Sequence, residues 1–161
     1  MNASATVNGD FDLIATGDNG RLYEALRHAN GTWVGWTDLT AKIAGSPGTI
    51  TEVAAATTTR GDLQLVAVSG GKLWHLRATA AGTWSGGGDL FANSSNPGTA
   101  THVAAAGVAG ALQVLVTTNS LYHAIRAASG SWSAFGDAGS AVGGVAGPIV
   151  SLAMGRSRFR A

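Results

Sequence analysis

Three copies of one pattern about 50 residues long, glycine-rich turns between short apolar segments, and no segment with a helical apolar stripe predict an all-β chain. The class they predict is a β-propeller built from four-stranded blades. The copies are clearest at GRLYEALRHANGTWVGWTD (20–38), GKLWHLRATAAGTWSGGGD (71–89) and NSLYHAIRAASGSWSAFGD (119–137). Trp33, Trp84 and Trp132 set the register, at intervals of 51 and 48 residues. Each follows Gly-Thr or Gly-Ser, and each is followed five residues later by an aspartate: Asp38, Asp89 or Asp137. Ten residues ahead of each Trp stands an aromatic, Tyr23, Trp74 or Tyr122, itself preceded by Leu22, Leu73 or Leu121.

The middle copy reads most clearly, element by element. A small, apolar first strand is expected near 49–56, and a second over LQLVAV (63–68). The turn SGGK leads to a third strand over 72–78, and AAGT leads to a fourth around Trp84. Short strands joined by glycine-containing turns are a hairpin signal. Both faces of LQLVAV are apolar, as expected for a sheet covered on each side by another sheet. The second strand recurs as GDFDLIATG (9–17) and GALQVLVTT (110–118), and the first as THVAAAGVA (101–109).

The expected blades are 2–46, 47–96 and 97–142. In the first, NASAT (2–6) lacks the apolar content of a first strand, whereas GPIVSLAMG (147–155) aligns without a gap on GTATHVAAA (98–106). The expectation is therefore that strand 148–154 completes blade one. Three blades fall short of the roughly four to eight of a closed ring and leave strand edges and sheet faces uncovered. A homodimer with six blades, each tail closing its partner's first blade, is the economical solution. A larger assembly, or a piece cut from a longer parent, stays open.

The composition excludes several function classes. Hydrophobic residues make up 45% of the 161 and charged residues 12%, the reverse of a disordered chain. Net charge is +1, and the basic residues are scattered, so the concentrated basic face needed for nucleic acid is missing. There is no cysteine, which removes disulfides and Cys-based zinc sites. No apolar run approaches the roughly 20 residues of a membrane span. MNASATVNGDF has neither the basic start nor the apolar centre of a secretory signal. Either the chain works where it is made, or a signal precedes residue 1.

The motif Gly-x-Leu-[Tyr/Trp]-His-x-[Ile/Leu]-Arg, then Gly-[Ser/Thr]-Trp-x-x-[Phe/Trp]-[Gly/Thr]-Asp, resembles bacterial tectonin-type propeller repeats. It is most similar to those of the Photorhabdus-type lectin (PLL-like) propellers and their relatives in secreted actinobacterial proteins. The resemblance spans 9–155. The third copy fits best, and the first has Glu24 in place of the histidine. The middle copy departs most, with Arg77 at the Ile position, Ala78 at the Arg position and Gly87 at the aromatic position of Trp36 and Phe135. Those departures put a pocket at the middle blade in doubt. The resemblance implies an extracellular carbohydrate-binding propeller with shallow interblade pockets for fucose-like or methylated monosaccharides. It implies glycans and a second copy of the chain as partners, and no cofactor.

Sugars offer C–H faces and hydroxyls, so their sites pair an aromatic platform with a few polar groups. The candidate platforms are Tyr23, Trp74 and Tyr122, with Trp33, Trp84 and Trp132. For the last three, packing between blades is the competing role. Arg27 and Arg126 are candidate hydrogen-bond donors, or else holders of a repeat aspartate. His75 and His123 share one register, and His102, Glu52 and Ser151 another. Repeat-equivalent residues lie around a ring rather than together, so no metal site is expected. Asp38, Asp89 and Asp137 are expected to fix turns by accepting backbone N–H groups. No HExxH, GxSxG or P-loop is present, no catalytic residue is assigned, and the chain is not expected to be an enzyme. The alternative to a lectin is a structural or protein-interaction propeller, a truncated or engineered fragment included, without a sugar site. A module that targets an enzyme elsewhere in a longer parent is the third reading.

Overall fold

A computed structural model describes residues 9–145 and 147–155, and the backbone of 2–5. Among these, twelve strands form three antiparallel four-stranded sheets, each running in sequence order. Sheet one is β1 (Asn2–Ala5), β2 (Phe11–Thr16), β3 (Leu22–Arg27) and β4 (Trp33–Asp38). Sheet two is β5 (Ile50–Thr57), β6 (Leu63–Ser69), β7 (Lys72–Ala78) and β8 (Trp84–Ser85). Sheet three is β9 (His102–Val108), β10 (Ala111–Thr117), β11 (Leu121–Arg126) and β12 (Gly136–Asp137). The repeat units are thus propeller-like blades.

The sheets stack face to face, sheet two between the others. Ile14 and Leu22 of sheet one, with Leu39 just after it, meet Leu65, Trp74 and Leu76 in one core. Val66, Val68 and Leu73 meet Leu112, Val114 and Val116 in the other. Every residue of β6 is buried, whereas β2 and β10 alternate buried and part-exposed. The doubly apolar LQLVAV belongs to the one sheet with a neighbour on each side. Each blade therefore has two distinct surfaces: a front face turned toward the next copy in sequence, and a back face turned toward the preceding one.

First strands lie side by side, β5 beside both β1 and β9, and their composition follows from that crowding. Ala54 and Ala56 face one core while Val53 and Ala55 face the other. A Cβ on Gly107 would come within 2.1 Å of the Thr57 carbonyl oxygen. The crossovers repeat as well: Ile50 N–H donates to Gly20 O and Ala100 N–H to Gly71 O, at 2.9 and 2.8 Å. At each of these glycines, with φ of +72 and +73°, a Cβ would collide with the side chain of Thr49 or Thr99.

One expectation is corrected. Strand 148–154 does not complete blade one; Asn2–Ala5 does, pairing with Phe11–Ile14. Residues 147–155 carry no strand. A strand five residues from its partner closes only a short loop, at small entropic cost. Backbone pairing also needs no apolar side chains, so NASA suffices. The tail starts against its own third sheet, with Pro148 and Ile149 beside Thr117 and Ser120.

Gly107→Ala is expected to destabilise the fold by about 1–3 kcal/mol, the usual cost of forcing atoms into a filled contact. Gly35→Ala, where a Cβ would meet nothing within 4 Å, serves as the control. Thermal melts check both, and equal melting temperatures would remove the close approach of β9 to β5 as the reason for this glycine.

Candidate functional site

Strand alternation places the fourth residues of GDFD, GDLQ and GALQ, namely Asp12, Gln64 and Gln113, on the front faces. The cross-strand neighbours that share those faces are Glu24, His75 and His123. In blades two and three the pair is glutamine and histidine: His75 Nε2 lies 2.7 Å from Gln64 Oε1, and His123 Nε2 lies 2.8 Å from Gln113 Oε1. In blade one it is two carboxyls, Glu24 donating its proton to Asp12. The next blade then supplies a tryptophan from its back face. Trp84 Nε1–H donates to Glu24 Oε2 at 3.3 Å. Trp132 stands edge-on to the His75 ring, centroids 5.3 Å apart and planes at 84°.

The first groove, between sheets one and two, is open, with a cavity of about 330 Å³. Asp10, Asp12, Glu24, Leu26 and His28 line it from the side of sheet one, and Ala78 and Trp84 from sheet two. Burial, then the nearby charge of Asp12, pushes the Glu24 carboxyl up to about 7, against the Trp84 hydrogen bond. Burial and Asp10 likewise raise Asp12. The contact between the two carboxyls adds to the rise of Glu24 and opposes that of Asp12.

The second groove is built differently. Arg77 of sheet two holds Asp62 through Nε and Nη2, at 3.0 and 2.7 Å. Arg126 of sheet three lies near enough that Arg77, after burial, lowers its pKa. Burial, then Arg126 and Arg77, drives the His75 imidazole down to about 3, so it is neutral and donates Nε2–H to Gln64. Arg77 and Arg126 stand where Leu26 and Ala78 stand in the first groove. The departures of the middle copy thus act in two ways: Arg77 occupies the second groove, whereas Ala78 in place of arginine leaves room in the first.

The other candidates fall in different places. Trp74 is 7% exposed, donates Nε1–H to Ser69 O at 3.3 Å and underlies Gly45, so it is a core residue. Tyr122 and Trp132 pack on the second core. Tyr23 accepts a hydrogen bond from Asn19 at 2.8 Å and, with Trp36 and Ala15, lines a shallow depression on the back face of sheet one. Trp33 is 55% exposed, and Arg27 lies on the same face. The repeat aspartates fix turns as expected. Asp38 accepts from Thr40 N–H at 2.8 Å, Asp89 from Phe91 N–H at 3.0 Å and Asp137 from Ser140 N–H at 2.9 Å. The cations that hold two of them are Arg21 and Lys72 rather than Arg27 or Arg126. His102 Nδ1 lies 2.9 Å from Glu52 Oε2, joining the first strands of sheets two and three. No three such side chains gather at metal-binding range among the described residues. Sequence reasoning missed Asp12, Gln64 and Gln113. Their recurring place in the GDFD, GDLQ and GALQ segments was the available signal.

Two opposed pH effects follow. Glu24 has a folded pKa above its unfolded value, so its contribution is complete below about pH 4.5 and is lost as pH rises through about 7. His75 has a depressed folded pKa, so its contribution is complete above about pH 6.5 and is lost as pH falls toward about 3. Melting temperatures across this range should show Glu24→Gln losing the decline toward neutral pH while keeping the acid-side decline. His75→Gln should do the reverse, and an unchanged profile in Glu24→Gln would contradict the shared-proton geometry.

Neither a protein-family model nor a curated protein sequence matches this chain.

Proposed function

We propose that the three sheets are blades of a propeller ring, brought to six by a second copy of the chain, and that its interblade grooves bind monosaccharides. The observation that carries the binding reading is the first groove. There Trp84 offers an aromatic wall to a sugar's C–H face, while Asp10, Asp12 and His28 offer hydrogen-bonding groups across from it. A wall of this kind with a few polar groups opposite is the chemistry carbohydrate recognition calls for. The resemblance of the repeats to PLL-like propellers points to fucose-like or O-methylated sugars. A symmetric ring would present the groove twice, and paired weak sites on a glycan surface gain by multivalency. The localisation consistent with this reading is outside the cell.

A second reading, a scaffold or interaction propeller without sugar sites, draws support from the second groove, where Arg77 and Arg126 take the space a ligand would need. A glycan array containing fucosylated and O-methylated sugars separates the two. The lectin reading expects binding that Trp84→Ala or Asp10→Ala weakens by at least about tenfold, or roughly 1.4 kcal/mol, with the circular dichroism spectrum of the fold retained. A blank array from folded protein of dimer mass would leave the scaffold reading.

A further inference from the structure

The two outer sheets end in faces that match each other. On the back face of sheet one, Trp33 and Trp36 are each 55% exposed. Their equivalents are covered: Trp84 and Trp132 rest on the preceding blade, and Phe135 meets Phe91 edge-on at 5.6 Å. On the front face of sheet three, Leu115 is half-buried and Ile125 exposed. Its equivalents Ile14 and Val66 are wholly buried under the next blade's back face. Among the described residues, the His123–Gln113 pair has no tryptophan over it, and Trp33 has no polar pair beneath it. The tail leaves sheet three beside Ser120, much as residues 98–100 leave sheet two beside Gly71. At that end the array is thus laid out for one more blade.

We infer that these faces are two halves of one groove, joined head to tail between copies, with Trp33 of one copy over His123 and Gln113 of its partner. The inference deepens the ring reading above and does not need the sugar reading. Such a contact is heterologous: back meets front, never back to back or front to front. Heterologous contacts either close or propagate. With three blades per chain, two copies give six, inside the range of roughly four to eight, whereas three give nine and fall outside it. Each ring would have two such grooves in trans. In character they lie between the two grooves within the chain. They carry the glutamine–histidine floor of the second, but Ala111 and Ile125 replace Asp62 and Arg77, leaving Arg27 of the partner as the cation in place of Arg126.

Two variants block one face each: Trp33→Asp/Trp36→Asp the back, Leu115→Asp/Ile125→Asp the front. By light scattering the wild-type chain should have twice the 16.1 kDa chain mass, and each variant alone the single mass. At raised concentration an equimolar mixture of the two should associate in pairs through its one intact junction, more weakly than the wild-type ring with two. A variant that dimerises alone as tightly as the wild-type chain, or a mixture that associates no more at raised concentration than either variant by itself although both melt cooperatively, would overturn the head-to-tail contact. A wild-type chain of single mass at all concentrations would overturn the ring as well. Independently of any variant, isotope-filtered NMR on mixed labelled and unlabelled wild-type protein should show contacts between the Trp33 indole and the His123 ring across copies. Their absence in a dimer would remove the composite groove while leaving the ring, and neither result depends on a sugar.

Discussion

A sheet with two apolar faces needs a neighbour on each, and among the described residues only sheet two has both. That constraint organises the rest of the structure. It explains why β6 is buried at every residue while β2 and β10 are buried at alternate ones. It also explains why the first strands, crowded side by side, are written in alanine and glycine rather than valine and leucine. Face-packed sheets stand about 10 Å apart where side chains fill the gap. At Gly107 and Thr57 the backbones come too close even for a methyl group.

The same constraint produces the grooves. Wherever the front of one blade meets the back of the next, a tryptophan lands on a polar pair inside an apolar contact, and buried polar groups must find partners. Two solutions appear within one chain. A neutral histidine and a glutamine satisfy each other, and the arginines that stand where the first groove has Leu26 and Ala78 are neutralised in part by Asp62. Alternatively, two carboxyls share one proton and accept the tryptophan N–H, with small residues left around them. The second solution leaves empty volume and titratable acid in one place. A groove that carries space, an aromatic wall and hydrogen-bonding groups has the parts of a binding site, whereas a groove filled by its own side chains has those of a joint.

Much of this was legible in the sequence. The tryptophan register and glycine turns gave three blades, and strands three and four of the middle copy lie where LWHLRA and the Trp84 segment placed them. The turn role of Asp38, Asp89 and Asp137 was readable because such carboxylates act on N–H groups only two or three residues away. What was not legible depends on partners distant in sequence. NASA pairs through its backbone, which leaves no trace in side-chain pattern. Ala78 reads as a defect in its own repeat until Leu26 and Asp12 of the preceding sheet face it. Gly87, which also looks like a loss, sits where a Cβ would lie 1.2 Å from the His75 carbonyl oxygen. No side chain could be accommodated there without moving the backbone.

The magnitude of the uncovered surface bears on how such a chain could close. Half-exposed Trp33 and Trp36 together leave on the order of 250 Å² of ring surface in water, about 6 kcal/mol at 25 cal/mol/Å² if fully buried. Bringing two molecules together costs an estimated 4–15 kcal/mol in lost freedom, so one such contact by itself would be weak at best. A ring changes the balance. The loss of freedom is incurred once, while two junctions form, and the second adds its burial at little further entropic cost. An open head-to-tail pair would lack that gain, which favours the closed species over a chain of copies joined end to end. In that setting each blade would finally have a neighbour on both faces, the condition that only sheet two meets within a single chain.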